Sequence, residues 1–140
     1  MSTTRTKIEL NPALVRRISG LDDFARIFFP DNRNHQRAFV AIWCQIKYAD
    51  HQFLPSSADL VEHYALSRRT IEIVRARLKK LGLIRRISHF DPAYGHRAGW
   101  VFSSRFRRLL GQFADALVSA TKVSSRSVDR QKDHAAIQFI

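Results

Sequence analysis

The stretch LSRRTIEIVRARLKKLGLIRR, residues 66–86, carries eight arginines and lysines and a single acid, Glu72. Cationic side chains at this density bind anions. An arginine fork matches a phosphate or the O6/N7 edge of guanine, and a lysine supplies a compact point charge. The stretch belongs to a wider field, because residues 63–110 hold 12 Lys/Arg against two acids, Glu72 and Asp91, in a chain of formal net charge +12. A field so localised suits a polyanion, although a membrane surface or an acidic protein would also respond to it.

Other chemistry has little to draw on. His35, His51, His63, His89, His96 and His134 are scattered, and there is no HExxH, nucleophile elbow or phosphate-binding glycine loop. Adjacent carboxylates are limited to Asp22–Asp23, so catalysis is not expected and no cofactor is implied. His89, Asp91 and His96 lie close together in sequence, yet polar turn roles explain them more simply than a metal site, and none is expected. Cys44, the only cysteine, sits in the apolar run AFVAIWCQI and reads as a packed core thiol rather than a nucleophile. No apolar run approaches a membrane span, and MSTTRTKIELNP lacks the apolar region of a signal peptide. The expectation is a cytoplasmic, nucleoid-associated protein with no membrane partner.

The elements that must position the cations can be read from periodicity. With 140 residues, 45% hydrophobic and 11% aromatic, the chain is long and apolar enough for one folded domain. A flexible N-terminus over 1–10, a domain over 11–121 and a polar tail over 122–140 are expected. Asn11 and Pro12 open a short helix that Gly20 interrupts, and LDDFARIFF adds another turn or two with Leu21, Phe24, Ile27 and Phe28 on one face. In residues 35–50, Phe39, Ile42, Trp43 and Ile46 have the spacing of a core helix. Ser56 and Asp59 have capping-box spacing before a short helix bearing Leu60, Val61 and Tyr64, which should end near Ala65.

Ser67 is a suitable N-cap for the basic helix and Gly82 a suitable stop, with Ile71, Val74, Leu78 and Leu81 on its buried stripe. The opposite face then carries Arg69, Glu72, Ala76, Lys79 and Lys80, bordered by Arg68 and Ile73. Ordinary solvated faces alternate charge signs so that i, i+4 pairs offset repulsion, and here only Glu72 is available. LIRRISH and GWVFSS, joined by FDPAYGHRA, read as a β-hairpin with a long tip. Trp100 and Phe102 share the face that would cover the helices, and Trp43 and Trp100 are expected to be structural. A last helix, SRFRRLLGQFADALVSA, has Phe106, Leu109, Leu110, Phe113 and Leu117 on one stripe, which predicts a homodimer through that helix. The alternative is that it folds back on residues 12–28.

The fold class is therefore mainly α with a small β-hairpin. Residues 55–84, PSSADLVEHYALSRRTIEIVRARLKKLGLI, resemble the DNA-binding domain of GntR-type bacterial regulators, a winged helix-turn-helix, here with extra N- and C-terminal helices. Thr70, Ile71, Leu78, Gly82, Leu83 and Ile84 match that pattern without a gap, and the likeness extends over about residues 35–103. Two departures stand out: only some 37 residues follow the hairpin, too few for the family's effector-binding domain, and the hairpin tip is longer than the family's tight turn.

The resemblance implies sequence-specific binding of double-stranded DNA by a small transcription regulator. A replication or partition initiator module, or a protein-interaction adaptor, is the alternative. Base contacts would come from Ser67, Arg68, Arg69, Glu72 and Ile73, at the start of the second helix of the turn motif. Glu72 would either accept from cytosine N4 or brace Arg68 or Arg75. Phosphate contacts would come from Ser56, Thr70, Arg75, Lys79, Lys80, Arg85 and Arg86. His96 and Arg97 lie near the hairpin tip, where Arg97 could enter an adjacent minor groove.

Overall fold

A computed structural model of the chain describes residues 8 and 10–140. The chain is mainly helical with one two-stranded antiparallel sheet. In order come α1 (Pro12–Arg16), α2 (Leu21–Phe28), α3 (Arg33–Lys47), a 3₁₀ turn (Asp50–Gln52), α4 (Asp59–His63), α5 (Arg68–Leu81), β1 (Ile84–Ile87), β2 (Gly99–Phe102), α6 (Arg105–Ala120), α7 (Arg126–Ala135) and a closing 3₁₀ turn (Ala136–Phe139). They divide into two compact units, one ending at Phe106 and the other Arg107–Ile140. The expected frayed N-terminus, residues 1–10, lies almost wholly outside the described residues.

In the first unit the helices begin where short polar side chains satisfy their free N–H groups. Asn11 Oδ1 accepts from Ala13 N–H at 2.8 Å with Pro12 in the first turn, and Asn32 Oδ1 accepts from His35 N–H at 2.9 Å. Helix α3 buries Ala38, Phe39, Ala41, Ile42 and Ile46 and packs against both α2 and α5. Trp43, half-buried, lies against Phe39 and against Phe102 of β2, with ring centroids 5.5 and 4.6 Å apart. From α2, Ile27 and Phe28 turn inward while Phe24 stays exposed.

The capping box expected at Ser56 and Asp59 does not form. The Ser56 hydroxyl accepts from Ala58 N–H at 3.2 Å, and α4 starts without a side-chain cap. Between α4 and α5 the chain reverses at Ala65, whose φ of +52° is unusual for a residue with a Cβ. Arg37 of α3 donates to the neighbouring Tyr64 carbonyl at 3.2 Å and ties that turn to the core.

β1 and β2 pair with Arg86 opposite Trp100, and Leu54 bridges Trp100 from the other edge through hydrogen bonds of 2.9 and 2.8 Å. β2 thus has backbone partners on both sides. Gly99 permits this approach, since a Cβ there would stand 2.6 Å from the Leu54 carbonyl oxygen and 2.7 Å from Phe53 Cζ.

In the second unit, residues 122–140, expected as a polar tail, include a helix with no buried residue. Ser124 and Ser125 donate their N–H groups to Asp129 Oδ2 at 2.7 and 3.1 Å, and α7 follows. These backbone donors hold the Asp129 carboxyl below its ordinary range. The capping acid, and helix formers such as Arg130, Gln131 and Lys132, outweigh the lack of an apolar stripe.

Candidate nucleic-acid interface

Helix α5 has one core face and one free face. Ile71, Val74 and Leu78 are buried and Leu81 is half-buried, whereas Arg68, Arg69, Glu72, Ile73, Ala76, Lys79 and Lys80 are exposed. Its start is fixed by Ser67, whose hydroxyl accepts from Thr70 N–H at 3.1 Å and lies 2.7 Å from the Thr70 hydroxyl. Both hydroxyls are thereby used in capping. Its end is closed by Gly82 at φ +88° and by Arg105, whose guanidinium donates to the Lys79 and Lys80 carbonyls at 2.9 and 2.7 Å. Carbonyls at a helix end have no intrahelical partner, and a cation there also suits the helix dipole.

The base-reading candidates Ser67, Arg68, Arg69, Glu72 and Ile73 come together in the first turns of this helix. Arg68 Nε donates to Glu72 Oε1 at 3.2 Å. Both side chains are largely exposed, so the pair orients Arg68 more than it stabilises the fold. Arg69 makes no hydrogen bond or ion pair with the described residues.

A cleft of about 400 Å³ separates the start of α4 from α5, with Ser56, Ser57, Arg68, Glu72 and Arg75 on its walls. Arg75 crosses it to donate to the buried Ser57 hydroxyl and lays its guanidinium over Trp100, 4.9 Å from the ring centroid. Arg86, directly opposite Trp100 in the ladder, lies over the same indole at 5.4 Å. Burial lowers the Arg75 pKa from its ordinary value; the Glu72 carboxylate opposes this, while Arg86 and Arg68 add to it.

The hairpin tip, residues 88–98, is folded on Asp91. Its carboxylate accepts from Ala93 N–H at 2.8 Å and from Arg85 at 3.0 Å, and Asp91 and Gly95 exchange backbone hydrogen bonds of 2.8 and 2.7 Å. The Ala93 N–H, then the Arg85 guanidinium, hold the Asp91 carboxyl below its ordinary range. Arg85 is therefore engaged within the hairpin. Arg97 lies over the Phe53 ring at 5.2 Å, and His96 pairs with Phe90.

The apolar stripe of α6 is only partly free. Phe106 is half-buried and meets Phe28 edge-on, with centroids 5.5 Å apart, so it belongs to the core of the first unit and drops out of the stripe expected to pair with a second copy. Leu109, Leu110, Phe113 and Leu117 are exposed. Sequence reasoning missed Ser57 and Arg105, because their partners Arg75, Lys79 and Lys80 lie 18 to 26 residues away and leave no local pattern.

Among the described residues no group of three or more His, Cys, Asp or Glu is placed to hold a metal ion, and no helix is long and apolar enough to cross a membrane. Compared with protein-family models, curated proteins and solved structures, the chain matches none of them.

Proposed function

We propose that the chain is a winged helix-turn-helix protein that binds double-stranded DNA in a sequence-specific way, as a homodimeric transcription regulator. The observation that carries this reading is the free face of α5, where Arg69 at the start and Lys79 and Lys80 at the end stand exposed on a helix whose other face is core. A helix about 10–12 Å across fits the major groove of B-DNA. The order α3, Leu54 bridge, α4, α5, β1, β2 supports this reading, in which α5 is the helix that enters the groove.

In this reading Arg69 offers its fork to a guanine edge, and Arg68 is held by Glu72, which takes the bracing role. Ile73, 43% exposed, can touch a thymine methyl. Lys79, Lys80 and Arg86 face phosphates, and Arg75 does so from its seat on Trp100. Leu109, Leu110, Phe113 and Leu117 pair with a second copy, setting two reading helices roughly one DNA turn, 34 Å, apart on a palindromic site.

The test is affinity for a duplex selected from a random pool and for its scrambled counterpart, across a salt series. Arg69→Ala should cost about 1–3 kcal/mol on the selected site and flatten discrimination at one or two base pairs. Lys80→Ala should weaken both duplexes alike and reduce the magnitude of the salt slope by about one unit. If both variants behave like Lys80→Ala, the helix attracts DNA without reading it.

A further inference from the structure

The hairpin tip has two faces with different duties. Asp91 and Gly95 form an isolated antiparallel bridge, flanked in sequence by Phe90 and His96. One side of the tip is anchored: Tyr94 stacks on the buried Phe53 at 5.6 Å, Arg97 lies over that same ring, and Ile87 and Val101 complete the cluster. The other carries Phe90 and His96, with ring centroids 5.1 Å apart and planes inclined by 52°. Phe90 is 63% exposed and His96 is exposed as well.

Packing does not account for Phe90, since its ring partner, His96, is itself at the surface. Rigidity is supplied from behind, by the Asp91–Gly95 bridge, the Arg85–Asp91 ion pair and the Phe53 anchor. An exposed aromatic face held this way costs little further ordering when a flat partner arrives. The surroundings select that partner by charge, because Arg85, Arg86 and Arg97 outnumber Asp91 on the hairpin.

We infer that Phe90, seated beside His96, is a stacking site for an unstacked nucleobase. The inference rests on the DNA-binding reading above and adds a second kind of contact to it. Base–aromatic stacking needs no particular base, since every base has a π face. The base can come from two sources: a step of intact duplex that Phe90 pries open as an apolar wedge, or a base already unpaired at a fork or bulge.

The experiment uses the full chain and duplexes carrying one 2-aminopurine, whose fluorescence reports unstacking and restacking. One duplex is intact with the probe at a TA step, one has the probe at a fork, and one is fully paired with the probe far from the site. Wild-type protein should change the signal at the fork, the TA step or both, and not at the remote position. Phe90→Ala should abolish that change and weaken binding to the responding probe roughly tenfold, which corresponds to about 1.4 kcal/mol. Phe90→Leu keeps apolar bulk without a π face and should behave like Phe90→Ala; if it behaves like wild type, stacking is refuted. Circular dichroism melting should be unchanged in both variants. A Phe90→Ala protein that binds and signals like wild type, while Arg69→Ala still loses affinity, overturns the stacking site alone. No duplex binding by the wild type overturns both readings.

Discussion

Trp100 carries two of the braced cations of the first unit, Arg75 and Arg86, and its removal should separate packing from charge placement. The indole is 6% exposed, joins the main core, pairs through its backbone with both Arg86 and Leu54, and carries the Arg75 and Arg86 guanidiniums at 4.9 and 5.4 Å. Truncation to alanine would cost about 3–5 kcal/mol, a large part of the roughly 5–15 kcal/mol that holds a domain of this size together. Trp100→Leu is the better perturbation, because it keeps an apolar filler while deleting the π face. We expect a loss of about 2–4 kcal/mol by urea denaturation, with an unchanged m-value. A double-mutant cycle with Arg75→Met should give a coupling of about 1–2 kcal/mol, the range for a desolvated cation over tryptophan. The same cycle with Arg86→Met should give only about 0.5–1 kcal/mol, since Arg86 is exposed. The lost Arg75–Ser57 hydrogen bond cancels in the cycle. A coupling within about 0.3 kcal/mol of zero for Arg75 would refute the argument, and equal couplings would refute the role given to burial.

Two further outcomes follow from the same geometry. The Asp91 pKa is lowered in the folded hairpin, so its contribution to stability is present above the ordinary carboxylate value and is lost as pH falls through the lowered one; a carboxyl NMR titration should show the lowered pKa, and Asp91→Asn should remove that acid-side loss. Phe113 is 63% exposed in the middle of the α6 stripe, so Phe113→Ser should convert a sedimenting dimer to monomer with melting of the first unit unchanged, and a wild-type monomer at micromolar concentration, free and with DNA, would refute pairing through this helix.

Much of the fold could be read locally. Ser67 and Gly82 bound α5 as their types predict, the first because its hydroxyl reaches Thr70 N–H and the second because φ +88° disfavours any side chain. The β1–β2 hairpin and the core positions Phe39, Ile42 and Ile46 likewise follow from period and turn chemistry. What escaped was non-local or acted without an apolar pattern. Leu54 becomes a strand partner only because Gly99 lets two backbones meet, and α7 is opened by Asp129 in a run with no apolar stripe. Phe106 sat on the α6 stripe by its spacing, yet Phe28, 78 positions earlier, claims it for the core.

The candidate site was legible as charge and illegible as arrangement, and the reason lies in the scarcity of acids. With Glu72 and Asp91 the only carboxylates among the 12 cations of residues 63–110, most of those cations could not be ordered by nearby ion pairs. Several are ordered by neutral partners instead. Arg75 uses the Ser57 hydroxyl and the Trp100 face, Arg86 the same indole, Arg97 the Phe53 ring and Arg105 the carbonyls of Lys79 and Lys80. An ion pair cancels the field of the cation it holds; a π face, a hydroxyl or a carbonyl fixes the side chain and leaves its charge unneutralised. The first unit therefore keeps its positive field while restricting the motion of the groups that produce it. An anion meeting this surface recovers Coulomb energy at a reduced cost in side-chain entropy. Arg69, Lys79 and Lys80, whose side chains have no such brace among the described residues, are the groups that the proposed binding would still have to order.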